Sequence, residues 1–580
     1  MRNEIIKVRV FDDKRLAIDI LSGPRYAEAY NRIRQLPESK WQYGTWLAPY
    51  TELNVEKLTS LFTPAEMDLD EDARATLRYF ELTLRQARKK AKHRWEYIFD
   101  DAVPAVPFAF TTTPYKHQIV GLDAVHESEF FGLLMEMGTG KTKVMIDELV
   151  WQTQMTDKSV RVLVVCPKTI INTWKKEIAK HAPPTMPVFV ERVVSEVKGI
   201  ETLIAGVRDP ARLKIWVINY EIVGTMLEAL QKMNFDDVIL DESTRIKTGS
   251  AKRTKAVIAL RDSCRRRFIL SGNPVVNTIR DLYWQFEFLA PGLLGFSTED
   301  AFTAATDNII DVKGRDWTTI SGYTMDRLKA SIANHSFIVK KKQCLDLPDK
   351  VFETIEVEMS SEQNELYEQM LNWFLASLED TKTTATCAIV QMLRLHQICC
   401  GFLRNTSGEE IDIPNATTKT DALRELMDDL DGHKAIIWCR FRHDISTVCK
   451  LLDQMRIKYA VMNGDTKQAD RDTIEDRFNH DDTLSVIVGE PGTGGLGLTL
   501  VGNEEHPCTQ VVYFSNDFSL EKRVQSEDRC HRIGMHDKVT YTDIVVGNSI
   551  EEKIVERLQS KRSLSEDLRD MESIKRFLLR

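Results

Sequence analysis

Cysteine is sparse and scattered in this sequence: ten in 580 residues, with no C-x-x-C pair and only Cys399 and Cys400 adjacent. That distribution excludes a disulfide framework and a cysteine-built zinc site, so the thiols are expected to be reduced and buried. Long apolar runs are also missing, and none approaches the roughly 20 residues needed to span a bilayer. The opening MRNEIIKVRV alternates charged and apolar side chains and builds no signal-peptide core. A protein that stays in the compartment where it is made, with no membrane partner, is the expectation. Excess positive charge is absent as well. A formal net charge of −9 argues against coating nucleic acid through bulk charge and shifts attention to local clusters. RQARKKAKHRW (Arg85 to Trp95) and the run Arg265 to Arg267 could each meet phosphates, although a solvated helix face or a linker is the plainer reading of both. There is no internal repeat and no low-complexity segment.

What the sequence does contain is a soluble globular composition, 43% hydrophobic and 28% charged, in a chain long enough for about three or four domains. KVRVFDDKRLAIDI reads as two alternating strands about a turn, followed by the helical YAEAYNRIRQL and the aromatic KWQYGTWLAPY, a small α+β domain over residues 1–65. Residues 66–106 read as a charged linker ending in the proline-broken DDAVPAVPFAF. Over 107–290 short apolar runs (FGLLMEM, VRVLVVCP, KIWVINY, FDDVILDE, RRFILSG) alternate with amphipathic helices, and the pattern returns over 420–550 with HKAIIWCR, KYAVMNG, LSVIVGE and TQVVYFS. Alternation of that kind predicts an α/β class with two doubly wound parallel-sheet lobes. The stretch 291–419 reads as a mostly helical insertion, and 551–580 as a C-terminal helical brace.

MEMGTGKTK follows an apolar strand and opens a helix. In that setting the backbone amides of Met137, Gly138, Thr139, Gly140, Lys141 and Thr142 converge on a polyphosphate at a helix N-terminus, with Lys141 reaching the phosphates and Thr142 a Mg²⁺ ligand. Met135 stands where the phosphate-loop pattern has its first glycine. About 100 residues on, VILDESTRIK ends an apolar run in two carboxylates. Asp241 is expected to bind Mg²⁺ and Glu242 to orient the attacking water. In QSEDRCHRIG, Arg529 and Arg532 lie three apart, so a helix would turn both guanidinium groups one way, suited to neutralising phosphate charge.

The order of these and further motifs from about Pro107 to Lys561 resembles the Swi/Snf-related ATPases of the superfamily-two helicase-like motors. TPYKHQ resembles the adenine-reading segment, with Gln118; VVCPKTIINTWKKE and VINYE resemble motifs Ia and Ib; LSGNPVVNTIRDLYWQFEFLAPGLLG resembles motif III and its following helix. FIVKKKQCLDLPDKVFETIEVEMSSEQNELYEQM resembles the family's interlobe segment, and GTGGLGLTL with DRCHRIG completes the second lobe. The resemblance implies RecA-like lobes and a monomeric ATP- and Mg²⁺-dependent translocase on double-stranded DNA. It assigns catalysis to Lys141, Asp241, Glu242, Gln525, Arg529 and Arg532, and DNA contacts to Lys168, Thr169, Asn219, Tyr220, Arg440 and the loop Thr493, Gly494, Gly495.

Departures from the family pattern bear on coupling. Thr244 replaces the histidine that links hydrolysis to motif III, where Ser271, Gly272 and Asn273 stand for T-G-T; a hydrogen bond from Thr244 to Ser271 or Asn273 would bridge that gap. Phe518 and Ser519 replace a Trp-Asn pair, and Thr499 an asparagine. The N-terminal domain resembles that of the annealing-helicase and fork-remodelling branch, with Trp41, Trp46 and Arg34 as candidates for a DNA junction. The compact chain points to a bacterial or virus-infected bacterial cytoplasm, or to a nucleus in a eukaryote. Three activities stay open: a duplex translocase that remodels forks or displaces bound replication or repair proteins, a strand-separating helicase within a restriction or recombination machine, and a weakly catalytic DNA-binding module.

Overall fold

Cross-strand alternation builds the N-terminal sheet. It contains β1 (Ile6–Asp12), β2 (Arg15–Ile20), β3 (Lys40–Gln42), β4 (Thr45–Pro49) and β5 (Met67–Leu69), in the order β3-β4-β2-β1-β5. β1 runs antiparallel to β2 and parallel to β5, so the sheet is mixed and takes in residues just beyond 65. Val8, Ile18 and Trp46 form one buried row across three strands, packed with Ala29 and Ile33 of the helix Tyr26–Ile33. Trp46 is therefore core, 8% exposed, whereas its cross-strand partner Trp41 is 54% exposed.

The structure is a computed structural model; it describes residues 4–12, 15–36, 38–49, 51–74, 77, 91, 94, 106–194, 197–275, 278–306, 308–311, 316–319, 322–379, 385–405, 407–492, 498–532 and 535–560. The chain divides into two units, Met1–Cys344 and Leu345–Arg580. Besides the N-terminal sheet, the first unit holds β6 (Phe130–Met135), β7 (Val160–Cys166), β8 (Val188–Arg192), β9 (Leu213–Asn219), β10 (Phe235–Asp241), β11 (Cys264–Leu270), the hairpin β12 (Asn308–Asp311) and β13 (Asp316–Thr319), and β14 (Ser336–Val339). Seven of these form one parallel sheet, β14-β6-β11-β10-β7-β9-β8. β9 is buried at every position, as a strand covered on both faces must be. Helix Val197–Arg208 lies so close that a Cβ on Gly206 would come within 2.4 Å of the Trp216 ring.

The second unit carries β15 (Val351–Val357), the hairpin β16 (Phe402–Arg404) and β17 (Glu410–Asp412), β18 (Lys434–Trp438), β19 (Tyr459–Met462), β20 (Val486–Gly489), β21 (Cys508–Tyr513) and β22 (Thr540–Val546). Its parallel sheet runs β15-β22-β21-β18-β20-β19. Both lobes are the doubly wound α/β layers the apolar alternation predicts. The stretch 291–419 is not helical throughout: it also supplies an edge strand to each large sheet, β14 to the first and β15 to the second.

Buried ions tie distant segments together. In the first unit the Arg266 guanidinium donates to Asp237 at 2.9 and 2.8 Å and to Glu148 at 2.7 Å, and Arg267 donates to the Leu289 carbonyl. In the run Arg265 to Arg267, Arg266 is thus internal, Arg267 half-buried and Arg265 exposed. Of the basic run Arg85 to Trp95 only Ala91 and Arg94 are described; Arg94 is buried, donates to the carbonyls of Ala333 and Asn334, and packs on the Phe131 ring. In the second unit Glu551, at the start of helix Ile550–Gln559, accepts from Lys419 Nζ at 2.7 and 2.9 Å, from His396 at 3.1 Å and from the Val546 N–H at 3.0 Å. All described cysteines are free; Cys264, Cys344 and Cys449 are only half-buried and the others are buried. Among the described residues no helix is long and apolar enough to cross a membrane.

Candidate active site

Parallel strands place their loops along one edge of the sheet, and in the first unit that edge collects the chemistry. Leu133 of β6 pairs with Leu270 of β11, and Leu270 with Asp241 of β10. The loop after β6, the segment after β11 and the acidic end of β10 are therefore neighbours. Helix Lys141–Gln154 begins directly after the loop Glu136–Gly140, in which Gly138 and Gly140 have φ of 78° and 91°. Gly140 has the left-handed backbone that favours glycine, and a Cβ there would lie 2.2 Å from Gln118 Nε2 and displace that side chain from the Thr139 carbonyl.

The loop is held from below. Gln118 accepts from the Tyr115 N–H at 3.0 Å and donates to the Thr139 carbonyl at 3.0 Å; His117 Nε2 lies 2.8 Å from the same oxygen. Burial pushes the His117 pKa down, so the neutral ring donates its Nε2 proton. Thr139 is buried and its hydroxyl donates to the Glu136 carbonyl, while Thr142 is half-buried in the first turn of the helix. Lys141 Nζ donates to the Met135 carbonyl at 2.9 Å. A Cβ at Gly272 would meet Met137 Cγ at 2.6 Å and Lys141 Nζ at 3.6 Å, which measures how closely the segment after β11 approaches the loop.

Asp241 is 6% exposed. Its Oδ2 accepts from Trp174 Nε1 at 2.8 Å, its Oδ1 from the Glu242 N–H at 3.0 Å, and its carbonyl from the Tyr220 hydroxyl at 2.9 Å. Burial raises its pKa above the ordinary carboxylate value, opposed by the nearby Lys141 charge and by these donors. Glu242 follows at φ 53°, ψ 55°, a left-handed conformation unusual for a side-chain-bearing residue. The glycine-lined cradle, the lysine and the buried carboxylate whose charge it feels are the donor set that a Mg²⁺-bound nucleoside triphosphate would need.

Several expectations change. Tyr220 is fully buried with its hydroxyl on Asp241, and Asn219, 8% exposed, donates to Glu221 at 2.9 Å. Tyr220 supports the carboxylate end of β10, whereas Asn219 bonds within its own turn. The Thr169 hydroxyl is buried without a partner among the described residues, and of that turn Lys168 alone is exposed. Thr244 is 8% exposed; among the described residues no hydrogen bond joins it to Ser271 or Asn273, the Ser271 hydroxyl is buried without a partner and Asn273 faces solvent. Sequence reading missed Trp174, His117 and Gln285. Each was signalled only by a polar group in an apolar or motif-adjacent stretch.

In the second unit the helix carrying Gln525 ends at Glu527, so Arg529 and Arg532 follow it in a turn and do not share a helix face. Cys530 between them is fully buried, its sulfur 3.6 Å from Cys508, and this draws the chain inward. Arg529 is itself 0% exposed and donates to the carbonyls of Gln525 at 3.0 Å and Leu498 at 3.1 Å. Half-buried Arg532 donates to the Thr499 hydroxyl at 2.7 Å. Gln525 donates to Glu521. The Arg440 guanidinium lies 4.0 Å over the Phe518 ring, and its Nη1 has no hydrogen-bond partner among the described residues. Thr493, Gly494 and Gly495 lie outside the described residues.

Comparison with known proteins agrees with this geometry. Residues 117–402 match the SNF2-related domain and residues 418–534 the helicase conserved C-terminal domain. An uncharacterized ATP-dependent helicase of Mycoplasma pneumoniae is 24% identical over 495 residues, 84% of this chain and 45% of the relative. The transcription regulatory protein SNF2 of Saccharomyces cerevisiae is 26% identical over 481 residues, 77% of this chain and 27% of the relative. The chain thus spans less than half the length of these relatives. A solved Sulfolobus solfataricus SWI2/SNF2 ATPase core in complex with dsDNA is 21% identical, with a TM-score of 0.38, over 80% of this chain and 94% of that one. With both family domains matched in order and the phosphate loop beside the paired carboxylates, the chain belongs to the Swi/Snf-related family of helicase-like ATPases.

Proposed function

We propose that this chain hydrolyses ATP to translocate on double-stranded DNA, remodelling forks or junctions or displacing bound proteins. The observation that carries the reading is the shared sheet edge: the phosphate loop, the segment after β11 and Asp241–Glu242 follow one another along it, and β10 is next to β7, whose following turn exposes Lys168. Amides of Gly138 to Thr142 cradle the phosphates, and Lys141 turns from the Met135 carbonyl to donate to them. Thr142 and Asp241 would hold a Mg²⁺ ion, which would supply charge neutralisation for the phosphates. Glu242 orients the attacking water, and Arg532 adds positive charge in the role the family resemblance gives it. Arg529, wholly internal, positions the Leu498–Thr499 segment that Arg532 also grips.

Lys168 meets a DNA phosphate, a contact that fixes position without reading sequence. On the N-terminal domain, exposed Trp41 meets buried Trp46, which in turn meets Tyr30 with Arg34 over its ring, and this group offers a stacking and phosphate surface for branched DNA. The test is ATP turnover with no nucleic acid, single strand, duplex, forked duplex and RNA. Duplex and fork should stimulate most, and displacement of a triplex-forming strand should accompany turnover. Equal turnover in all five conditions would refute the proposal, and unwinding of a tailed duplex would replace it with a strand-separating helicase.

A further inference from the structure

Between the hydrolysis carboxylates and the segment after β11 lies a hydrogen-bonded connection that runs through neither Thr244 nor Ser271. The Ser243 hydroxyl is 2.7 Å from Gln285 Oε1, and both residues are 0% exposed. The Gln285 amide nitrogen donates to the Pro274 carbonyl at 2.8 Å and to the Asp281 carbonyl at 2.6 Å. Two carbonyl oxygens can only accept, so they fix the amide with its nitrogen toward them and its oxygen toward Ser243. That oxygen also only accepts, so Ser243 must donate. The Gln285 amide thereby has both donors and its acceptor engaged in a dry site.

The two ends of this connection are informative. Ser243 is the residue after Glu242 and opens the turn Ser243–Ile246, while Pro274 follows Ser271, Gly272 and Asn273 in the segment leaving β11. Glu242 is held from both directions: the Tyr220 hydroxyl anchors the carbonyl before it and Gln285 anchors the side chain after it. A left-handed conformation at a glutamate persists only when its surroundings impose it. Any shift of Pro274 is passed to Ser243 through one rigid planar amide. Gln285 sits in the helix Tyr283–Leu289, among Tyr283, Phe286, Phe288 and Leu289, where an apolar side chain would pack at no desolvation cost.

We propose that Gln285, with Ser243, is a positioning residue that couples the segment after β11 to the orientation of Glu242, so that gripping DNA is read out as hydrolysis. This rests on the duplex-stimulated ATPase reading above. Thr244 stands beside this connection and is not its carrier.

The test compares wild type, Gln285→Met, Ser243→Ala and the double variant by basal turnover, turnover at saturating duplex, KM for ATP and melting temperature. Methionine keeps the length and volume of glutamine and makes neither bond. The ratio of stimulated to basal turnover should fall about tenfold in each single variant, with KM for ATP moved by less than about threefold, since the lost interaction orients a group and does not bind substrate. The double variant should lose no more than the worse single one, because both changes cut the same connection. A merely structural role would scale basal and stimulated rates together. A stimulation ratio within about twofold of wild type in folded variants, or losses that multiply, would overturn the assignment. If Gln285→Met fails to fold, Ser243→Ala, which removes one oxygen, decides alone. Wild type stimulated by no nucleic acid would instead remove the translocase reading, and this coupling with it.

Discussion

Replacing Trp174 by Phe isolates one hydrogen bond to the carboxylate on which the site depends. Trp174 is 1% exposed in the helix Ile171–His181, directly after the turn that presents Lys168, and its indole N–H reaches Asp241 Oδ2 at 2.8 Å. Phenylalanine retains most of the apolar volume and loses the donor. A hydrogen bond to a charged group contributes about 1.5–3 kcal/mol, or roughly 10- to 150-fold in an equilibrium that depends on it. The Glu242 N–H still bonds Oδ1, so the carboxylate keeps one anchor and the lower end of that range is expected. Mg²⁺ should therefore bind the nucleotide complex about tenfold more weakly, while nucleotide binding in the presence of a metal chelator stays near wild type. The assay is Mn²⁺ and Mg²⁺ titration of the ATP complex in a Glu242→Gln background, followed by turnover with Glu242 restored. Equal metal affinity and equal turnover in Trp174→Phe would refute the role given to the indole. Parallel losses of chelated-nucleotide and metal binding would show that Phe had merely loosened the fold.

Lys141→Ala should abolish measurable hydrolysis, and Glu242→Gln should bind ATP without turning it over; substantial turnover in either would end the ATPase assignment. Arg532→Ala should lower turnover by about 10³-fold with a much smaller effect on ATP affinity. Arg529→Ala should instead lower the melting temperature, because it deprives two buried carbonyls of their donor; the reverse pattern would exchange the two roles. In the second unit burial alone would raise the Glu551 carboxyl, but Lys419 and His396 hold it down at about 2. Its contribution to stability is present above the ordinary glutamate pKa of about 4.3 and is lost as pH falls through its folded value. Lys419→Met should destabilise the protein by about 3–5 kcal/mol at neutral pH, with the gap to wild type narrowing below about pH 4.5 in denaturant melts. A gap independent of pH would contradict the ion pair's role.

Legibility in the sequence followed the range of the interaction. The phosphate loop was readable because its chemistry requires glycine, lysine and threonine at fixed spacing after a strand, and Asp241–Glu242 because paired acids at the end of an apolar run need a reason to be there. The sheets were readable because a doubly covered strand such as β9 must be apolar along its length. Tyr220 and Asn219 lie inside the motif VINYE, and membership of the motif could not disclose that their side chains bond to Asp241 and Glu221. Arg529 and Arg532 had helical spacing, yet the helix stops at Glu527 and the chain beyond it turns with Cys530 buried against Cys508. The edge strands β14 and β15 pair with partners some 200 residues away. Gln285 left one faint signal, an amide inside the aromatic helix YWQFEFL.

The left-handed backbone at Glu242 has a consequence for anyone improving this protein. A glutamate at φ 53° carries about 1–3 kcal/mol of conformational strain, which glycine or asparagine at that position would largely relieve. Selection for thermal endurance alone would therefore favour replacing the glutamate proposed to orient the attacking water, and on that proposal the most heat-tolerant members of a random library should be enriched in inactive ones. The same reasoning guides the choice of an arrested enzyme for trapping bound ATP: glutamine keeps the tension of the working backbone, whereas glycine would capture a relaxed loop that the active protein does not adopt.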